Sequence, residues 1–216
     1  MKFKVTFHLD GSGICYDPNE PLHLDALLAW VLAPRQKIHQ HLGRDDIPEE
    51  VKLPLMKYSF DDCFVFKASA LLPEGDTGES LQHWRKRFRT NKSGVTNGSP
   101  NLTNGTYRDW NNPVPLFLTR KMVAYADGNR GECKKLLKEV KYLGKKRAHG
   151  HGKITEITYD EIEEDFSIIK DGKAMRYLPS ENGTRLVRTI PPYWGRHNRI
   201  YCCDVGDEYV LDGRSI

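Results

Sequence analysis

The chain is short of cysteine, of long apolar runs and of catalytic signatures. Its five cysteines, Cys15, Cys63, Cys133, Cys202 and Cys203, are odd in number and scattered, with no Cys-x-x-Cys. That pattern excludes a disulfide framework and a zinc finger and points to a reducing compartment. No apolar stretch approaches the roughly 20 residues a membrane span requires. The opening Met1-Lys-Phe-Lys-Val alternates like a strand and does not resemble a secretory leader. There is no Walker A loop, no dinucleotide fingerprint, no internal repeat and no low-complexity tract. His39-x-His41 has no third ligand at a sensible spacing, so neither a metal nor another cofactor is expected. No Ser-His-Asp or Cys-His arrangement can be drawn from the residues.

What the chain does have is segregated charge. The net charge of its 216 residues is only +4. Yet residues 81–110 hold six cations and one acid, and residues 120–153 hold eleven cations and three acids. Two basic blocks on an acidic remainder are the electrostatic footprint of a nucleic-acid binder.

Periodicity orders the elements. Residues 2–10 alternate at period two and predict a half-buried strand. His23–Leu32 predicts an apolar helix stopped near Pro34, and Cys63–Leu72 a second strand. Residues 78–115 lack periodicity and read as a long irregular insertion of the kind that is usually functional. Leu116–Ala126 predicts a third strand, residues 131–143 a helix through Cys133, Leu136, Leu137, Val140 and Leu143, and residues 153–159 a fourth strand. The order is β-α-β-(insertion)-β-α-β. It predicts an α+β, ferredoxin-like (RRM-like) βαββαβ domain over 1–160, with a C-terminal extension, 161–216, packed on it.

The most informative stretch is Gly144-Lys-Lys-Arg-Ala-His-Gly-His-Gly-Lys153. Gly144 stands where a helix C′ glycine belongs. Gly144, Gly150 and Gly152 predict close approach of backbone amides to a ligand. Lys145, Lys146, Arg147, His149, His151 and Lys153 set that ligand's sign, which suits the phosphates of a nucleic acid. In the insertion, Arg85, Lys86, Arg87, Arg89 and Lys92 interleave with Trp84 and Phe88. The aromatics serve either to stack on bases, for about 1–3 kcal/mol each, or to anchor the insertion to the body.

A glycine loop of the form Gly-x5-Gly-x-Gly between the second helix and the fourth strand resembles that of the CRISPR RAMP superfamily. The Lys-Val-Thr-Phe-His-Leu strand followed by Pro21-Leu-His-Leu-Asp-Ala-Leu-Leu-Ala29 is similar to the opening of type IV RAMP subunits. The subunit matched is the Cas-five-like one, which caps the 5′ handle of the guide RNA in Cascade-like complexes. The resemblance covers about 1–160. It implies a non-catalytic, cytoplasmic subunit encoded by a prokaryote, plasmid or phage. Its partners would be the 5′ handle of CRISPR RNA, the backbone RAMP subunit, the large subunit and target DNA near its flanking motif, and no membrane. The insertion corresponds in position to the family's thumb.

Two alternatives stay open. A metal-independent RAMP endoribonuclease processing repeat RNA would use His149 or His151 as acid or base, although a glycine-rich loop holds side chains poorly for catalysis. A generic RNA-binding ferredoxin-like domain would show no preference for a repeat handle. In the tail, Pro191-Pro-Tyr-Trp-Gly-Arg-His-Asn-Arg199 sets two aromatics beside Arg196 and Arg199, either as a contact to partners or as a rigid turn packed on the core.

Overall fold

The structure is a computed structural model that describes residues 1–36, 50–61, 63–88, 101–105, 107–191, 193 and 199–211. The fold is α+β, with strand far outweighing helix. Strand β1 (Lys2–Leu9) buries Phe3, Val5, Phe7 and Leu9, every second residue. These residues share one core with helices α1 (Leu24–Arg35) and α2 (Arg130–Leu137). Two short strands, β2 (Lys57–Ser59) and β3 (Phe64–Phe66), pair with each other. The main sheet contains β4 (Leu72–Pro73), β7 (Lys121–Asp127) and β8 (Ile154–Glu161), in the order β4-β7-β1-β8, with every neighbouring pair antiparallel.

The predicted insertion is not an irregular loop. Residues Thr77–Lys86 (β5) and Trp110–Thr119 (β6) pair antiparallel over ten residues each. Strand β5 reads Thr-Gly-Glu-Ser-Leu-Gln-His-Trp-Arg-Lys and is solvated on both faces, so it has no apolar alternation to read. Strand β6 carries Pro113 and Pro115 at alternate positions. A two-stranded ribbon has an open side on each strand, so prolines facing that side remove no ladder bond. The single strand expected at Leu116–Ala126 is two: at Arg120 the chain leaves the ribbon and joins the main sheet as β7.

Three other boundaries differ from expectation. The strand predicted at Cys63–Leu72 breaks into β3 and β4. Helix α1 runs on to Arg35 with Pro34 in its last turn. Helix α2 ends at Leu137, six residues early. There, Glu139 N–H donates to Leu136 O (3.1 Å) and Val140 N–H to Leu137 O (3.0 Å), so tighter three-residue turns replace the α ladder. Val140 and Leu143 still reach the core, which is why their spacing mimicked helix.

The C-terminal segment adds the hairpin of β9 (Ile169–Lys170) and β10 (Lys173–Ala174). It also adds a three-stranded sheet of β11 (Leu178–Pro179), β12 (Arg185–Arg188) and β13 (Arg199–Cys203), in the order β11-β13-β12. Arg176, fully buried, joins this segment to the rest. Its Nη2 donates to Asp25 Oδ2 in the first turn of α1 (3.1 Å) and to Thr189 O (2.7 Å). Its Nη1 donates to Ala68 O (3.0 Å) and to Phe66 O. Tyr193 Oη also donates to Asp25 Oδ2, at 2.8 Å, so that tail aromatic packs inward. Trp194 and Arg196 lie outside the described residues, and Arg199 opens β13.

Candidate nucleic-acid interface

Residues 144–153 fold as a knuckle pinned to the turn after β1. Lys145 N–H donates to Cys15 O (2.8 Å), Gly152 N–H to Gly13 O (2.9 Å) and Leu143 N–H to Gly152 O (2.8 Å). A single 3-10 turn, Arg147–His149, forms the tip between Lys146 (φ 59°) and Gly150 (φ 90°). The glycines therefore do something other than admit a ligand. A Cβ on Gly144 would lie 2.7 Å from Cys15 O, and one on Gly152 would lie 2.1 Å from Leu143 O. Both positions are filled by the protein's own backbone. Gly144 is also not a helix C′ residue, because α2 has ended at Leu137 and its C-cap is Lys138. The amides of Lys145, His149, Gly150 and Gly152 all donate within the protein, so the expected amide cradle for phosphate is absent at those four.

The loop instead presents side chains. Lys145, Lys146, Arg147, His149 and Lys153 are exposed. His151 is buried, and its Nε2 has no hydrogen-bond partner among the described residues. Trp84 of β5 packs onto this loop: its ring lies 3.8 Å from that of His149 and 6.0 Å, nearly parallel, from that of His151. Lys146 Nζ lies 5.5 Å from the centre of the same indole. The ribbon is thus anchored to the loop, and the two basic blocks of the sequence meet there.

Trp30 was not foreseen. It stands on α1 with 44% of its surface exposed, and the Arg147 guanidinium lies 4.7 Å from its ring centre. Its position in an apolar helix hid it, because a run that is apolar all round gives no sign of which residue faces out. An exposed indole capped by arginine is an apolar, polarisable platform edged with positive charge.

The other insertion residues do not all join this cluster. Arg85 and Arg87 are exposed, and Arg85 Nε donates to Asn111 Oδ1 at 3.2 Å. Lys86 is half-buried and pairs in register with Trp110. Phe88 packs on Tyr107, with ring centres 4.7 Å apart, and its N–H donates to Asp109 Oδ1 at 2.7 Å. Arg85, Lys86, Arg87, Asp109, Trp110 and Asn111 line an open cleft at this end of the ribbon. Arg89, Lys92, His39 and His41 lie outside the described residues.

A family model described as CRISPR type IV associated protein Csf3 matches residues 2–203. The chain belongs to the Csf3 family. Csf3 is the Cas5-like subunit of type IV complexes. The match runs to residue 203, the last residue of β13. No curated protein matches the sequence. No helix among the described residues is long and apolar enough to cross a membrane.

Proposed function

We propose that this Csf3 chain is the non-catalytic subunit that grips the 5′ handle of the guide RNA and caps the backbone filament of a type IV effector complex, near where target DNA enters. The observation that carries the reading is the convergence of Lys146, Arg147, His149, Trp84 and Trp30 on one exposed surface. Cations there neutralise phosphates, and the exposed Trp30 face offers a base a stacking partner. We read the sheet order β4-β7-β1-β8, with α1 and α2 packed together on one face, as the ferredoxin-like arrangement of the RAMP superfamily, and the β5–β6 ribbon as its thumb. The backbone subunit, the large subunit and target DNA are then the neighbours, in a cytoplasmic ribonucleoprotein.

The histidines favour binding over cleavage. His149 is exposed but lies against Trp84, and His151 is buried beneath the same indole, so the two are not presented together as an acid–base pair.

The test is to assemble the protein with its type IV partners and a guide RNA, recover the complex and sequence the bound RNA. Mature guides sharing one 5′ handle are expected. The triple variant Lys145→Ala, Lys146→Ala, Arg147→Ala should weaken handle binding and reduce the salt slope by about one unit per lost phosphate contact. Unchanged affinity, or heterogeneous RNA, overturns the reading. Cutting of repeat RNA in EDTA that is lost in His149→Ala or His151→Ala would give the site to the nuclease alternative.

A further inference from the structure

The main sheet has one long open edge. Strand β8 is its terminal strand, pairing with β1 on one side only. The register sets which backbone groups face out. Ile162 N–H donates to Lys2 O, so the pairs Lys4↔Asp160 and Thr6↔Thr158 are the mutually hydrogen-bonded ones. The N–H and C=O groups of Ile157, Tyr159 and Glu161 then point away from β1. The chain begins to cover this edge and stops. Tyr142 bridges Lys153, and Ile154 N–H donates to Lys141 O at 2.9 Å; beyond Ile154 no strand continues that line among the described residues.

A slot runs beside the edge, between β8 and the end of α2. It is lined by Val140, Ile154, Ile157 and Tyr159, by Thr155 and Glu156, and by Lys134, Lys138 and Lys141, so cations outnumber acids three to one. None of the three lysines makes an ion pair among the described residues. The Tyr159 hydroxyl is buried there with no hydrogen-bond partner. Farther along the same strand, Asp160 is exposed and stands two residues beyond Thr158.

We infer that the β8 edge receives an extended segment of a partner protein as a fifth strand, with acidic side chains at alternate positions facing Lys134, Lys138 and Lys141. Outward amides at strand spacing supply the affinity, and the three lysines on one side of the slot supply the register. A nucleic-acid backbone fits less well. It carries a charge at every nucleotide and would meet Glu156, Asp160 and Glu161 along the same line. The inference concerns a different face from the glycine loop and does not depend on what that loop binds.

The experiment is hydrogen exchange resolved to single amides. It compares the free protein, the protein with guide RNA alone, and the protein assembled with its type IV partner subunits and guide RNA. The expected result is rapid exchange at Ile157 and Tyr159 in the first two samples and exchange slowed at least about 100-fold in the assembly. The exposed triple variant Lys134→Glu, Lys138→Glu, Lys141→Glu should lose that protection while the amides of β1 stay protected. Slow exchange in the free protein means the edge is already covered, and rapid exchange in the assembly means nothing docks; either overturns the inference. Protection by guide RNA alone overturns it in favour of nucleic acid. If the assembly retains no guide RNA yet protects these amides, the strand docking stands and the handle-binding role falls.

Discussion

His23 shows how a single side chain can record its burial. It precedes α1 and is 6% exposed, and its Nε2 accepts the N–H of Tyr177 at 3.3 Å. Burial, and then the Arg176 guanidinium, hold its pKa down at about 3. Unfolded, the imidazole titrates near 6.5. The unfolded chain therefore takes up a proton that the folded one refuses, so stability is complete above pH 6.5 and is lost as the pH falls towards 3. Between pH 7 and pH 5 this one group should remove about 2 kcal/mol. Urea unfolding at both values measures the loss. His23→Gln, which keeps an acceptor for Tyr177, should flatten that part of the profile. An equally steep profile in the variant would assign the acid sensitivity elsewhere.

Among the elements, the glycine loop separates what sequence can tell from what it cannot. Its composition and its place before β8 were legible, because charge and glycine spacing are local properties. The use of each glycine was not, since that depends on Gly13, Cys15 and Leu143, which fold against it. Gly152→Ala should cost about 2–4 kcal/mol, because its φ is +71° and its Cβ would meet Leu143 O. Gly150→Ala, with φ +90° but open space around it, should cost only about 1 kcal/mol of backbone strain. Thermal unfolding of the two variants checks the order, and equal shifts would mean the docking onto residues 13–15 is dispensable. The β5–β6 ribbon was illegible for another reason. Strands solvated on both faces carry no burial pattern, and prolines on an open side look like breaks. Strand β1 and the apolar α1 were legible because each has a buried face. Trp30 was hidden within that same apolar helix.

Across the whole molecule, the buried pair Arg176–Asp25 spans 151 residues and ties the C-terminal segment to α1. Arg176→Met would leave the Asp25 carboxylate buried without a cation, held by the Tyr193 hydroxyl and the Ala26 backbone, at a cost of about 3–5 kcal/mol. The double change Arg176→Met with Asp25→Leu should recover much of that loss, because no uncompensated charge remains. Urea midpoints of the three proteins decide it. If the double variant is no more stable than the single one, the pair contributes through its hydrogen bonds to Phe66, Ala68 and Thr189 instead. The same tie sets a timetable for synthesis. Strand β1 leaves the ribosome early, but its pairing partners are β7 and β8, and Asp25 must wait for Arg176. At about 5–20 residues per second, those 151 residues correspond to roughly 8–30 s in which the Asp25 carboxylate stays unpaired on the nascent chain. The sheet can close only after most of the polypeptide has emerged.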